Sequence, residues 1–173
     1  MRLPSFFGYG RATLCAVVAI GLDQVTKWAA FAAATPGEVL NVAPGVTISQ
    51  TRNDGIAFGI FAGRPDLVLG LMAVALAVLV WFYARHRGRP VLWLATGLLL
   101  GGAIGNALDR IVLGYVRDFV NLPGWPAFNV ADMAITFGVV VLVLSSERNQ
   151  RDGGGESDAV TQSSAEWRDG AGD

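Results

Sequence analysis

Residues 105 to 132 read GNALDRIVLGYVRDFVNLPGWPAFNVAD, and eight of these side chains are aspartate, asparagine or arginine: Asn106, Asp109, Arg110, Arg117, Asp118, Asn121, Asn129 and Asp132. The stretches on either side are almost pure hydrocarbon. An ionisable side chain at the centre of a bilayer costs about 2.5–3.5 kcal/mol on insertion scales, so charge in this setting asks for a use. The residue types present narrow the chemistry. The single histidine, His86, sits in a basic loop and has no partner for a serine–histidine relay or a zinc site. The single cysteine, Cys15, lies in an apolar run, which excludes an internal disulfide, a cysteine-rich metal site and a thiol nucleophile beside the polar stretch. No HExxH motif is present. Carboxylates remain. Two carboxyl groups held close in a poorly polarisable site cannot both ionise, so they share a proton. The ionised member can activate water, and the protonated member can polarise a carbonyl and then donate its proton. This chemistry hydrolyses a peptide bond with no metal, cofactor or covalent intermediate. On these grounds Asp109, Asp118 and Asp132 are all candidates.

The elements that must position these acids are membrane helices. The chain has 173 residues, 53% of them apolar, and the apolar residues come in long runs. A bilayer core needs roughly 20 helical residues. Four segments approach that length: 12–34, 66–84, 91–108 and 128–146. The expected fold is therefore a mainly α membrane protein, with four transmembrane helices and a small extracytoplasmic β-sheet in one unit, residues 1–146. The first apolar run passes directly into LDQVTKW without a small-residue cleavage site, so it reads as a retained span and not as a removable signal. Arg2 and Arg11 precede the first span, Arg85, Arg87 and Arg89 join the second to the third, and Arg148 and Arg151 follow the fourth. All of them fall on one side of a four-span topology, which makes that side cytoplasmic and places both termini there. Segments 35–65 and 109–127 are then outside. Alternation in VTISQT and turn signals at Pro44-Gly45 and Asn53-Asp54-Gly55 predict a sheet within about 38–61, lying at the interface where its backbone can be satisfied. Residues 147–173 are polar and rich in glycine, serine and acid, which reads as a disordered cytoplasmic tail. A net charge of -1 points away from nucleic acid.

Asp23 and Lys27 are four apart in the first span and share a helix face. They either pair as glue between helices or belong to a site. Asn106 and Asp109 share a face of the third span, with Arg110 one turn from Asn106. Asn129 and Asp132 open the fourth, where they can serve as a helix cap or as part of a site. Asp23, Asn53, Asn106, Asp109, Asp118, Asn129 and Asp132 all map to the outer leaflet or its surface, and scattered caps and snorkelling side chains have no reason to favour one leaflet. A small-ion or proton-coupled transporter would also use buried acids. It would place polar residues through the membrane depth, whereas the interior of span two has none and span three is apolar until Asn106.

The blocks LDQVTKW at 22–28, RNDGIAFGIF at 52–61, GGAIGNALDRIVLGYVRDFV at 101–120 and FNVAD at 128–132 make the chain resemble the lipoprotein signal peptidases, the type II signal peptidases. The resemblance covers about 12–146. It implies an aspartyl endopeptidase of the bacterial inner membrane that removes signal peptides from diacylglyceryl-modified prolipoproteins, cutting before the lipidated cysteine. By that pattern Asp118 and Asp132 are the catalytic dyad. Asp23, Lys27, Asn53, Gly55, Asn106, Asp109, Arg110 and Asn129 support it or hold substrate, with Asp109 orienting Asn106 or Arg110. The implied partners are the lipidated precursor and membrane lipid, and a monomer is expected. The residue before the first acid of the dyad is usually apolar in this family; here it is Arg117, expected to point outward to the interface. Gly55 and Gly59 permit close backbone approach, and Ala57–Phe61 is expected to form a mobile lid.

Overall fold

The computed structural model describes residues 6–55, 61, 63–86 and 91–145. The expected lid, apart from Phe61, lies outside the described residues, as do Gly59, the tail 147–173 and Arg2, Arg87, Arg89, Arg148 and Arg151. Helix α1 runs Phe6–Ala33, followed by strands β1 (Val39–Ala43) and β2 (Val46–Asn53), helices α2 (Pro65–His86) and α3 (Leu92–Leu113), and strand β3 (Val116–Asn121). A fourth apolar helix, α4, covers Val130–Ser145. Among the described residues, three helices are long and apolar enough to cross a membrane: Tyr9–Ala33, Asp66–Arg85 and Leu92–Leu113. The described part of α4 is shorter than that.

The large apolar side chains point outward. Leu14, Val25 and Trp28 on α1, Val74 and Trp81 on α2 and Phe137 on α4 are all exposed. This inverts a soluble core and suits hydrocarbon as the solvent. Between helices the contacts are made by small residues, which allow close backbone approach where lipid supplies no hydrophobic drive. A Cβ on Gly101 would stand 2.6 Å from the Ala19 Cβ of α1, and one on Gly102 would collide with the Ala131 carbonyl of α4. Helix α3 is thus the shared spine.

Helix α3 extends beyond the expected limit of residue 108 to Leu113, so Asp109 and Arg110 are helical along with Asn106. Their polarity depressed the apolar signal that marked the span. Gly114 ends the helix in the left-handed conformation, with its N–H bonded to the Arg110 carbonyl. The sheet is antiparallel in the order β1-β2-β3. Its third strand comes from outside the expected 38–61 region. β3 pairs Thr51 with Asp118, Arg52 with Arg117 and Asn53 with Val116. On its other side, the Phe128 N–H donates to the Val120 carbonyl at 3.0 Å, and the Val120 N–H donates to the Phe128 carbonyl at 2.9 Å. The strand holding Asp118 is therefore pinned between β2 and the entry to α4. Gln50 docks the sheet onto α1 by donating to the carbonyls of Phe31 and Ala34 at the helix end, where backbone acceptors lack helical partners.

Candidate active site

Asp118 projects from β3 and is 1% exposed. Its two oxygens accept from two amides, Asn53 Nδ2 at 2.9 Å and Asn129 Nδ2 at 2.6 Å. Burial pushes its pKa up from 3.8 to about 6; the Asn53 amide pulls the other way, the Asp132 charge raises it further, and Asn129 and Lys27 lower it. Asp132 sits in the first turn of α4. Its Oδ2 accepts the Asn129 N–H at 3.2 Å, while the Asp132 N–H donates to Asn129 Oδ1 at 3.0 Å. This exchange is a capping box. Its other oxygen accepts from Asn106 Nδ2 at 2.8 Å.

The cap and the site are thus one device. Asn129 caps α4 through Oδ1 and reaches Asp118 through Nδ2. The same Nδ2 also donates to Asn106 Oδ1 at 3.1 Å, and that oxygen accepts from Lys27 Nζ at 3.0 Å. Asn106 and Asn129 together form an amide bridge between the two acids. A cavity of about 360 Å³ lies against this bridge, with Asn53, Asn106, Arg110 and Asp132 on its wall beside Met72, Val116 and Ile135. Asp118 connects to the cavity through Asn53. Arg110, 8% exposed, donates through Nη2 to the Gly55 carbonyl at 2.5 Å, and the Gly55 N–H donates to Asn53 Oδ1 at 3.1 Å. Gly55 therefore braces two wall residues, Arg110 and Asn53, through both of its backbone groups. Arg110 Nε has no hydrogen-bond partner among the described residues.

A second polar cluster lies beside the first. Lys27 Nζ is 2.7 Å from Asp23 Oδ2 and 3.3 Å from Asp109 Oδ2, and all three side chains are 0 to 1% exposed. Asp23 Oδ1 accepts the Ala131 N–H at 2.9 Å, which ties α1 to α4. Gly105 makes room for this carboxylate, since a Cβ there would stand 2.7 Å from Asp23 Oδ2. Asp109 was expected to orient Asn106 or Arg110; instead its carboxylate takes Arg117, Lys27 and Gln24. Nor does Arg117 extend to the interface as expected. It forks onto Asp109 and donates to Gln24 Oε1 at 2.8 Å. Strand alternation places it on the face opposite Asp118. Gln24 is the functional neighbour that sequence reasoning missed. It stands next to Asp23 in LDQVTKW and bonds Asp23, Asp109 and the Gly105 carbonyl; its position inside a span was the available signal.

The structure thus joins Asn53, Asn106, Asp118, Asn129 and Asp132 in one hydrogen-bonded set beside a cavity, with Arg110 on the cavity wall, Gly55 bonded to Arg110 and Asn53, and Asp23, Lys27 and Asp109 in the adjoining cluster. Among the described residues, no three acid, histidine or cysteine side chains cluster as metal ligands. The arrangement suits acid–base chemistry on a carbonyl brought to Asp132.

Residues 15–148 match the family model described as signal peptidase (SPase) II. The lipoprotein signal peptidase of Moorella thermoacetica is 39% identical over 131 residues, which span 75% of this chain and 87% of the relative. That of Chlorobium phaeobacteroides is 38% identical over 146 residues, spanning 76% of this chain and 92% of the relative. A solved structure of a bacterial membrane enzyme superposes with a TM-score of 0.77 at 31% identity, covering 82% of this chain and 90% of that one. A second superposes with a TM-score of 0.72 at 32% identity, covering 79% and 92%.

Proposed function

The chain belongs to the signal peptidase II family, and from that premise we propose that Asp118 and Asp132 are the pair of acids with which it cuts signal peptides from lipoprotein precursors. It is a membrane protease that processes lipoproteins. The finer reading is a substrate carrying a diacylglyceryl group, cleaved just before the lipidated cysteine, with the acyl chains left in the lipid. In this reading α4 completes a fourth span, both termini are cytoplasmic, and the acids work as a monomer near the outer leaflet of the bacterial inner membrane.

Asp132, on the cavity wall, accepts a proton from water as the oxygen attacks the scissile carbonyl carbon. Asp118, which keeps its proton to about pH 6, gives it to the carbonyl oxygen. The resulting diol collapses when Asp132 returns its proton to the amide nitrogen and Asp118 recovers one from a diol hydroxyl. The C–N bond breaks, leaving a new carboxyl group and a free amine. Asn53, Asn106 and Asn129 hold the carboxyl groups through neutral donors, so neither acid is locked in one protonation state. Arg110 and Gly55 shape the rim that receives the extended peptide.

The observation that carries this reading is the amide bridge of Asn106 and Asn129 between two acids from different elements, beside a cavity that Asp132 lines. Asp118→Asn and Asp132→Asn, each purified as a folded protein and given diacylglyceryl-modified precursor in detergent, should each lose about 10³-fold or more in rate, in keeping with acid–base contributions of 10²–10⁴. Cleavage at the wild-type rate by either variant would sink the dyad. Equal rates on unlipidated precursor would sink the lipid requirement alone.

A further inference from the structure

Arg117 takes no part in these proton transfers, yet it places three hydrogen bonds on one carboxylate. Its main-chain N–H and Nε reach Asp109 Oδ2 at 3.0 and 3.2 Å, and its Nη2 reaches Oδ1 at 2.7 Å. Planar two-point recognition of a carboxylate is the geometry that arginine offers and lysine does not. The carboxylate it grips is 1% exposed, and Arg117 itself is only 18% exposed.

The position of this fork links the two clusters. Asp109 lies one helical turn beyond Asn106 on α3. Arg117 immediately precedes Asp118 on β3 and faces the other way. The amides of Asn53 and Asn129 hold Asp118 on one face of the strand, and the fork holds the strand from the other. Turning β3 about its own axis breaks one set or the other. Asp109 is in turn tied to α1 through Gln24 and Lys27. The charges also balance: Asp23 and Asp109 stand against Lys27 and Arg117. Without Arg117, two buried carboxylates would face one ammonium group beside the reacting acids.

We infer that Arg117 is a positioning residue for the reaction: its fork on Asp109 sets the angle of β3, and the local charge balance, at which Asp118 meets Asn129 and Asp132. The inference rests on the reading of Asp118 as a reacting acid.

The test uses Arg117→Leu, Arg117→Lys and Asp118→Asn in the full chain, purified in detergent, with kcat, KM, the pH profile and the thermal midpoint measured on lipidated precursor. In Arg117→Leu, kcat should fall about 10- to 100-fold with KM within about twofold, the scale of effect expected when a reacting group is misplaced by an ångström or less. The alkaline limb of kcat/KM should also move to higher pH. The uncompensated Asp109 and Asp23 join Asp132 in disfavouring an ionised Asp118, opposed by Lys27 and Arg110, the cations that remain near it. Arg117→Lys keeps the charge without the fork, so the limb should return to its wild-type position while kcat recovers only in part. A wild-type kcat in Arg117→Leu overturns the inference. So does a loss of rate that follows the loss of folded protein, with the limb unmoved. Cleavage by Asp118→Asn would instead overturn the dyad, whereas an inactive Asp118→Asn beside a fully active Arg117→Leu overturns positioning alone.

Discussion

Two polar clusters share one end of this bundle, and they hold their acids by different means. Around Asp118 and Asp132 the donors are amides: Asn53, Asn106, Asn129 and one backbone N–H. Around Asp23 and Asp109 the donors include Lys27 and Arg117, and the ion pairs found among the described residues all lie in this second cluster. A cation at contact distance ties a carboxylate to its partner by charge, whereas a neutral amide orients it without a compensating charge. Of the acids held by amides, Asp132 lines the cavity and Asp118 connects to it through Asn53. The acids locked by cations fasten α1, α3, α4 and β3 together. In the proposed reading, chemistry and architecture are divided between neighbouring sets of similar side chains.

This division can be broken from either side. The largest effect should come from the charged cluster. Lys27→Met strands Asp23 in a site with no exposure, and breaking such a buried pair costs about 3–5 kcal/mol. The thermal midpoint should drop sharply and activity should go with it, while Lys27→Met/Asp23→Asn should recover part of the stability. A single variant that melts like wild type would mean that the cluster holds nothing together. Asn129→Ala should reverse the proportions. Losing the cap costs about 1 kcal/mol of stability, but losing the hold on Asp118 should cost about 10²-fold in kcat. Equal losses in both measurements would erase the distinction between the clusters. Asn53→Ala is the finest probe. Its amide favours the ionised Asp118, so removing it should raise the Asp118 pKa above about 6 and carry the alkaline limb of kcat/KM to higher pH. A limb that moves down would contradict the assignment. The same proton has a sign in stability. Folding raises the Asp118 pKa from 3.8 to about 6, so its contribution is fully present below pH 3.8 and is lost as pH rises through about 6.

Much of this was legible in the chain. The four polar blocks, their gathering at one end of the bundle and the apolar runs between them follow from residue type and spacing, and carboxylates as the candidate chemistry follow from what the histidine and the cysteine cannot do. The placement of Asp118 was harder to read. The strand VRDFVN carries two charges in six residues and becomes a strand by pairing with β2, some 65 positions earlier, a partnership that no local period announces. Asn129 reads from the sequence as a cap or as part of a site. In the structure its acceptor end caps α4 and its donor end bonds Asp118, because an amide offers both. The partner of Arg117 was hidden because Asp109 lies eight residues back across the left-handed turn at Gly114.

The two main-chain bonds joining Val120 to Phe128 have a consequence for engineering. They close off residues 122–127 as a bight whose ends are fixed by backbone alone, whatever sequence lies between. Trp125, Pro126 and Ala127 of that bight form part of the cavity wall. Grafting a different bight should therefore retune which precursors fit while the acids stay where they are, which makes this short segment the natural place to diversify the enzyme.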